Sequence, residues 1–414
     1  MALDPVHVDG IADIAGLLGR RVDDTDHDDL ARTAFEEWLD PLRVDGRTVI
    51  EPLGERRLRS VDVDDVALVD PPYPTVHGLD SGTINPTTFK NGLVLDVAHA
   101  AMAAEPSDLE LHRARSLVTT VHANDPTLAL GTDWVRRDEG YFRRKILHAP
   151  RVNRYAEGVV HALALYLAES SHALEHADAV DDCLVLDGPL YPKELLNWQD
   201  RDAELGALAT EAKPRAIVEN YVRLVERLLD RDVAVAGFVK NPSPKLITRA
   251  LRENGVPAPW VDDTALFSRL LEPGGGNDDG RPTDRLTFTG WFRSRGGSDR
   301  TLAADGDALG VDRRRDPADY EVTFFVVYDP REDLCYRVEA PAGLTRDADA
   351  RDRLTRQVLR DVATARGPPP VVERADALAR IGVDEKAALR RKFEERLESS
   401  SVRTYDDHRW GGEF

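Results

Sequence analysis

The sequence predicts an α/β fold built on a mixed sheet with flanking helices. Residues 75–103 contain two apolar runs around a polar connection with glycine and proline, which is typical of a β-hairpin, and residues 116–124 give a third strand. Apolar side chains then recur at helical spacing over 153–170, ahead of a short apolar strand at 183–188. Because strands and helices alternate after the hairpin, we expect one sheet that combines antiparallel and parallel strands.

The pattern also divides the chain into regions. We expect an N-terminal helical region over residues 1–70, one main domain over 71–400, and a frayed tail at 401–414. A stretch rich in Gly, Asp and Arg at 272–319 predicts a long exposed insertion around one amphipathic strand. The other predicted elements are helices 8–19, 28–42, 213–230, 245–254, 348–365, 371–380 and 384–399, strand 233–240, and a second hairpin within 320–341.

Charge is the most unusual property of the composition. The 414 residues include 75 acidic and 55 basic side chains, giving a net charge of -20, and only eight of the basic residues are lysine. Acidic tracts with few lysines are typical of proteins from salt-adapted microbes, so this excess indicates a halophile. The net sign therefore does not exclude a nucleic-acid partner, and the local placement of basic residues decides that question.

Several classes of protein are disfavoured by absent motifs. No apolar run reaches the ~18 residues of a membrane span, and the N-terminus lacks the features of a secretory signal, so we expect a cytoplasmic protein without a membrane partner. Cys183 and Cys335 each lie in an apolar run, which predicts buried thiols. There is no zinc-ligand spacing, Walker A loop or dinucleotide motif, so the chain cannot itself be powered by ATP.

Two aspartates stand where apolar strands are predicted to end. Asp80 lies in HGLDSGT and Asp187 in CLVLDGPLYP, and both are followed by small residues. A carboxylate at such a position is costly unless it is paired or bound to a metal, although it could equally cap a turn. Hydrolysis of phosphodiester bonds with two metal ions requires carboxylates that converge, and hard divalent ions prefer oxygen ligands. Together the two aspartates favour a catalytic metal centre.

The order of these elements is the RNase H arrangement, and from here the sequence resembles the NurA family of nucleases. The resemblance covers about residues 75 to 395. It rests on the order of short elements: HGLDSGT, VLDGPL, GFVKNPSPKLI, DDTALFSRLLEPG, YRVEAP and GPPPVVERADALARI. It implies an RNase H-like fold, DNA cleavage of the 5'-3' end-resection type in double-strand break repair, and Mn²⁺, with Mg²⁺ as an alternative, as a pair of ions. It also implies a homodimer and a HerA-type hexameric ATPase as partner.

The resemblance assigns roles to individual residues. Asp80 and Asp187 match the first and third acidic ligands, and a helical glutamate supplies the middle one. We favour Glu157, since the early turns of the helix are expected nearest the strand ends, although Glu169 lies closer to the family's usual spacing from Asp187. Lys240 ends a predicted strand beside the centre, where its ammonium group could meet the scissile phosphate.

The C-terminal motif departs from the family pattern. Pro368 occupies the position of a functional tyrosine, and Asp376 occupies that of a histidine. Aspartate can bind a hard metal ion but is a poorer general acid near neutral pH. Asp376 is therefore interpreted either as a metal ligand or as a surface charge of the helix.

Other interpretations of the chain stay open. The main alternative is a catalytically silent adaptor on the same fold that binds DNA ends or the ATPase, and another is an RNase H-like enzyme acting on RNA or hybrids. A phosphatase of the haloacid dehalogenase type is disfavoured because Pro189 stands where that family has a second aspartate. Arg337 with Glu339 predicts a structural ion pair, and Asp262 with Asp263 predicts a helix cap.

Overall fold

One large sheet runs through the computed structural model. The model describes residues 4–21, 24–125, 128, 130–131, 133–272, 282–303 and 309–403. Within these residues fifteen strands join in one mixed sheet. The strands are β1 (Leu42–Val44), β2 (Arg47–Pro52), β3 (Leu58–Asp62), β4 (Val76–Thr83), β5 (Thr87–Thr88), β6 (Val94–Glu105), β7 (Arg115–His122), β8 (Val135–Arg137), β9 (Phe142–His148), β10 (Cys183–Asp187), β11 (Ala234–Val239), β12 (Arg285–Thr289), β13 (Phe292–Ser294), β14 (Val322–Asp329) and β15 (Leu334–Pro341).

Helices accompany this sheet, and most of them flank one of its two faces. They are α1 (Pro5–Gly19), α2 (Asp24–Thr33), α3 (Val63–Ala67), α4 (Leu109–Arg113), α5 (Ala156–His176), α6 (Lys193–Arg201), α7 (Ala203–Ala209), α8 (Ala212–Leu229), α9 (Leu246–Glu253), α10 (Asp263–Leu271), α11 (Ala342–Thr345), α12 (Ala348–Ala365), α13 (Pro370–Ala379) and α14 (Val383–Leu397). No helix of the described residues is long and apolar enough to cross a membrane.

Five strands at the centre have the RNase H topology. They lie in the order β7-β6-β4-β10-β11, with β6 antiparallel to both β4 and β7, and with β10 parallel to both β4 and β11. The long helix α5 connects β9 to β10, and α8 precedes β11. The expected α/β fold with a mixed, helix-flanked sheet is confirmed.

The N-terminal region differs from the sequence-based expectation. Residues 1–70 were expected to be helical, but β1, β2 and β3 lie within them and join the sheet through β13 and β12. These strands are short and rich in charged residues, so their local pattern resembles a loop. Strand β1 pairs with its neighbour β2, but the strands that join β2 and β3 to the sheet, β13 and β12, lie more than two hundred residues away, which no local pattern reveals.

The described residues of the region 272–319 form more than the one exposed strand that the sequence predicts. This region contains two strands, β12 and β13, which break at Gly290 and both pair with β14. Leu286 and Phe292 are fully or almost fully buried, so their apolar side chains hold this region in the core. Residues 273–281 and 304–308 lie outside the described part of the chain, as do 404–414 of the expected tail.

Apolar clusters hold the helices on both faces of the sheet. Helices α5 and α8 cover one face of β4, β6 and β10, while α12 and α13 cover the other. Strand β10 has helices on both faces, which explains its uninterrupted apolar run Cys183–Leu186. Cys183 and Cys335 are free and buried, as the sequence predicts.

Two glycines let α13 lie directly against β4. A Cβ atom at Gly78 would lie 2.3 Å from the carbonyl oxygen of Val371, and one at Gly82 would lie 2.3 Å from that of Ala379. The two contacts are four residues apart on the strand and eight apart on the helix, which are both distances of ~12–13 Å. Helix α13 therefore runs along β4 on the face that carries Gly78, Asp80 and Gly82.

We predict that Gly78→Ala lowers the free energy of unfolding by ~1–3 kcal/mol, because the added methyl group must push the backbone of α13 away from β4. Denaturant unfolding measures this change. Gly54→Ala is the matched control, since a Cβ atom there would meet nothing within 4 Å. Equal stability of the two variants would contradict the close packing of α13.

Candidate active site

The parallel register of β4 and β10 brings two aspartates together. Leu79 of β4 lies opposite Leu186 of β10, so the next residues, Asp80 and Asp187, are neighbours on adjacent strands. Adjacent strands lie ~4.8 Å apart, and side chains at equivalent positions point to the same face. Both aspartates are half-buried. Strand β4 continues for three residues beyond Asp80, to Thr83, so Asp80 does not end its strand as the sequence suggested.

Glu169 of α5 is the third carboxylate of this cluster. Its Oε1 accepts a hydrogen bond from the Ser81 hydroxyl at 2.7 Å, and its Oε2 accepts one from the Tyr221 hydroxyl at 2.8 Å. Ser81 follows Asp80 directly on β4, so the Glu169 carboxylate is tied to the same strand. The two hydrogen bonds fix its orientation on the α5 face of β4, within electrostatic reach of the aspartate pair.

The carboxylates raise one another's pKa values. Burial, followed by the charges of Asp187 and Glu169, raises the pKa of Asp80 to about 8, against a hydrogen bond from the Ser81 N–H at 2.7 Å. Burial raises the pKa of Glu169 to about 7, with the charge of Asp187 adding to it and the bonds from Ser81 and Tyr221 opposing it. Raised pKa values of this kind show that the buried carboxylates have too few positive charges around them. Groups with strongly shifted pKa values are common at functional sites.

Lys240 provides one positive charge at the cluster. Its Nζ lies 2.7 Å from Oδ2 of Asp187, and it follows β11, the strand beside β10. Burial raises the pKa of Asp187, and the contact with Lys240 opposes that rise. The structure thus places Lys240 beside the carboxylates, as the sequence predicted, but bonded to one of them.

Glu157 does not join the cluster. It lies on the exposed first turn of α5, where its Oε1 accepts a hydrogen bond from the Thr88 hydroxyl at 2.6 Å. Twelve residues separate it from Glu169, which corresponds to ~18 Å along a helix. The structure therefore brings the later turns of α5, with Glu169, near Asp80 and Asp187, and it does not bring Glu157 there.

Asp376 lies near both aspartates on α13. Its charge contributes to the raised pKa values of Asp80 and Asp187, which places its carboxylate on their side of the helix. It also forms an ion pair with Arg380, one helical turn later, and its side chain is 36% exposed. Asp376 is thus a partly exposed neighbour of the pair.

The donors of this cluster suit a hard divalent cation. Asp80, Glu169 and Asp187 offer only carboxylate oxygens, the ligands that Mn²⁺ and Mg²⁺ accept. Within the described ranges, no three His, Cys, Asp or Glu side chains converge closely enough to hold an ion as they stand. Ser81, Tyr221 and Lys240 engage the carboxylates instead, so an ion would compete with these contacts.

Other residues singled out in the sequence have structural partners. Arg337 Nε donates to Glu339 at 2.7 Å, as expected for an ion pair, and Asp262 accepts from the Ala265 N–H at 2.9 Å as a helix cap. Asp263 is buried and accepts two backbone N–H groups at the start of α9. Tyr221 escaped the sequence analysis, since only the tertiary packing of α8 on α5 brings its hydroxyl to Glu169.

Comparison with protein families gives a match that covers most of the chain. The NurA domain matches residues 74–381. The chain belongs to the NurA family. This stretch runs from β4 to the end of α13 and thus contains all four clustered carboxylates of this NurA protein. Among curated proteins the comparison finds no match.

Three solved structures resemble this NurA protein over most of its length. The NurA nuclease from Sulfolobus solfataricus has a TM-score of 0.47 at 11% identity, covering 96% of this chain and 98% of that one. A NurA structure bound to dAMP and manganese has a TM-score of 0.46 at 10% identity, with 98% and 99% covered. A NurA structure with manganese has a TM-score of 0.40 at 9% identity, with 80% and 95% covered.

We predict that Lys240→Met lowers the free energy of unfolding by on the order of 1 kcal/mol in the presence of a chelator. The reason is that the Asp187 carboxylate, which lies beside Asp80, loses its ion pair with the Lys240 ammonium group. Denaturant unfolding gives the value. Lys245→Met is the control, since the Lys245 ammonium group is exposed and makes no ion pair within the described residues. An equal loss in both variants would show that the contact with Asp187 contributes nothing.

Proposed function

We propose that this NurA protein is a metal-dependent deoxyribonuclease whose metal-binding residues are Asp80, Glu169 and Asp187. The observation that carries the proposal is the pairing of Asp80 with Asp187 on adjacent parallel strands, with Glu169 tied to the same strand through Ser81. Membership of the NurA family supports the activity, and the RNase H topology supports the placement of the three carboxylates.

Divalent cations, when bound, would supply the activated water and stabilise the leaving oxygen, which two ions ~3.5–4 Å apart do in many nucleases. The family resemblance favours Mn²⁺, with Mg²⁺ as an alternative, and a pair of ions. The chain's own residues hold and orient the ligands. Ser81 and Tyr221 fix the direction of the Glu169 carboxylate, so that fewer conformations are lost when a ligand is bound.

Lys240 is proposed as the phosphate-binding residue of the centre. Its ammonium group lies 2.7 Å from Asp187, within the reach of a phosphate positioned at the carboxylates. An ammonium group there stabilises negative charge that develops on the scissile phosphate. Its contact with Asp187 also keeps it in place before the substrate arrives.

We propose that the Asp376 carboxylate either binds a metal ion from the edge of the site or acts on the site through its charge. A helix that lies directly on β4 carries it, and its charge acts on both central aspartates. The family pattern has a histidine at this position, which offers an imidazole nitrogen. Asp376 offers carboxylate oxygens instead, which are the ligands that hard divalent cations prefer.

The wider role is proposed from the family resemblance alone. In this role a cytoplasmic homodimer processes DNA ends in the 5'-3' direction during double-strand break repair, with a HerA-type ATPase as partner. The acidic composition adds the proposal that the protein works in a salt-adapted cell.

We predict that Asp80→Asn and Asp187→Asn each abolish manganese-dependent cleavage, because each removes a charge that the cation requires. The two losses should not add in the double variant, since both residues serve one centre. Cleavage of labelled linear DNA in high-potassium buffer, with manganese, magnesium or chelator, measures this effect. A shift of the melting temperature by manganese in wild type, absent in the variants, measures cation binding separately.

The same experiment separates the nuclease from the adaptor. A wild-type protein that binds DNA ends without cleaving them under any of these conditions would favour the catalytically silent adaptor. Near-normal cleavage by either folded variant would contradict the assignment of the carboxylates. Cleavage of RNA or hybrids in preference to DNA would favour a different RNase H-like enzyme.

We predict that Glu169→Gln impairs cleavage at least about tenfold more than Glu157→Gln, because only Glu169 lies beside Asp80 and Asp187. Both substitutions remove one charge from the same helix, so each serves as the control for the other. Rates are compared at saturating manganese. A larger defect in Glu157→Gln would contradict the placement of α5.

A further inference from the structure

A cleft of about 850 Å³ adjoins the carboxylate cluster. It lies between α6, α9, the β1–β2 hairpin and the helical turn Gly297–Arg300. Pro189, two residues after Asp187, and Val239, directly before Lys240, form the wall nearest to the cluster. A ligand in the cleft can therefore extend from the proposed catalytic centre.

The charge of the cleft is opposite to that of the chain. The whole sequence has 75 acidic and 55 basic residues, whereas acidic residues are the minority among those that line the cleft. The lining acids are Glu253, Asp299 and Glu339. The lining bases are Arg47, Lys193, Lys245, Arg249, Arg300 and Arg337. Such a local reversal in an acidic protein indicates an anionic ligand.

Part of this charge is neutralised inside the wall. Lys193 Nζ lies 3.1 Å from Asp299 and also contacts Glu339, and Arg337 donates to Glu339 and to Asp299 at 2.7 and 3.2 Å. Glu339 also accepts the Leu190 N–H at 3.2 Å. These two bases and two acids form a closed network that holds the loop after Asp187, so they are the frame of the cleft and not its contacts.

The remaining basic residues face solvent. Arg47, Lys245 and Arg300 are exposed and form no ion pair within the described residues. Arg249 is also exposed and pairs with Glu253, four residues later, at 2.8 Å. Exposed pairs of this kind are weak, so Arg249 can exchange its partner for a ligand. Among the residues that the structure describes, three cations without an ion-pair partner therefore line the cleft, and a fourth is available.

Lysines are concentrated in the same region. The chain has only eight, and three of them, Lys193, Lys240 and Lys245, lie at the carboxylate cluster or line the cleft. Lys240 contacts Asp187 and the other two line the cleft, so these lysines connect the carboxylate cluster with the cleft. An ammonium group is a compact charge that contacts phosphate oxygens from several directions.

The cleft lacks a surface on which bases could stack, since no aromatic residue of the described chain lines it. Proline, glycine, serine and asparagine residues lie between the cations, together with the aliphatic residues Val44, Val49, Val239, Leu246 and Ala250. A nucleic acid bound there would be held through its phosphates, which depends on salt and not on base sequence. An acidic protein partner would need a broader contact surface than this concave cleft offers.

We infer that this cleft binds the phosphodiester backbone of the nucleic-acid strand that enters the Asp80–Asp187 centre, with Lys245, Arg249 and Arg300 as its phosphate contacts. The inference rests on the proposed function, because the adjacent nuclease centre makes a nucleic acid the partner. It adds the path that the strand follows beyond the scissile bond.

The test is the binding of a fluorescently labelled thymidine oligonucleotide in the presence of chelator, so that no strand is cut. The variant combines Lys245→Ala, Arg249→Ala and Arg300→Ala. Affinity is measured over a range of potassium chloride in which circular dichroism shows the protein folded. We expect affinity to fall about tenfold or more, and the slope of log affinity against log salt to fall by about 2, given ~0.7 per phosphate contact of a single strand.

The matched control combines Arg32→Ala, Arg137→Ala and Arg391→Ala, which remove the same charge from exposed positions outside the cleft. It should retain the wild-type slope, and an adenosine oligonucleotide should show the same loss in the cleft variant as the thymidine one. Wild-type affinity and slope in the folded cleft variant would overturn the inference. So would an equal loss in the control, since that would be an effect of net charge.

Failure of the proposed function gives a different result. If wild-type protein never cleaves DNA with manganese, but the cleft variant still loses affinity and slope, the nuclease proposal is wrong and the cleft binds nucleic acid. If cleavage depends on manganese as proposed while the cleft variant binds normally, the nuclease proposal holds and the strand follows another path.

Discussion

The repulsion between Asp80 and Asp187 is the constraint to which the surrounding structure responds. Parallel register fixes the two carboxylates one strand apart, and burial raises the pKa values of both. Two contacts reduce the cost: Ser81 donates its N–H to Asp80, and Lys240 contacts Asp187. The close packing of α13 on Gly78 preserves the arrangement, because it leaves little space in which the strands could separate.

The same local balance explains how an acidic protein can bind an anion. A net charge of -20 repels nucleic acid at long range. Dissolved salt screens this repulsion, and at 1 M salt its range falls to ~3 Å. Binding then depends on cations that lie directly at the ligand. Lys240 at the carboxylates and the exposed bases of the cleft are placed in this way.

Sequence patterns predicted the centre of this fold better than its edges. The apolar runs around Asp80 and Asp187 located both strands and their order, because burial on both faces leaves a clear signal. Strand β9 was missed, since it carries Arg143, whose charge is buried against Ser116 and Glu175 by tertiary packing alone. For a related reason, the sequence does not decide which helical glutamate lies near the aspartates. Helix periodicity gives the buried face of α5, but it does not say which turn crosses the strand that carries the aspartates.

Asp376 makes the site more negative than a histidine at the same position would. With Asp80, Glu169 and Asp187 it makes four carboxylates, against which the structure places Lys240 and the ion-paired Arg380. A histidine there, as in the family pattern, would add no negative charge and could add a positive one. The centre of this protein therefore has a larger deficit of positive charge than one built on the family pattern. A divalent cation bound at the proposed site would compensate for that deficit. The stability of this protein should then depend more strongly on divalent cations than that of a protein with histidine at the position of Asp376.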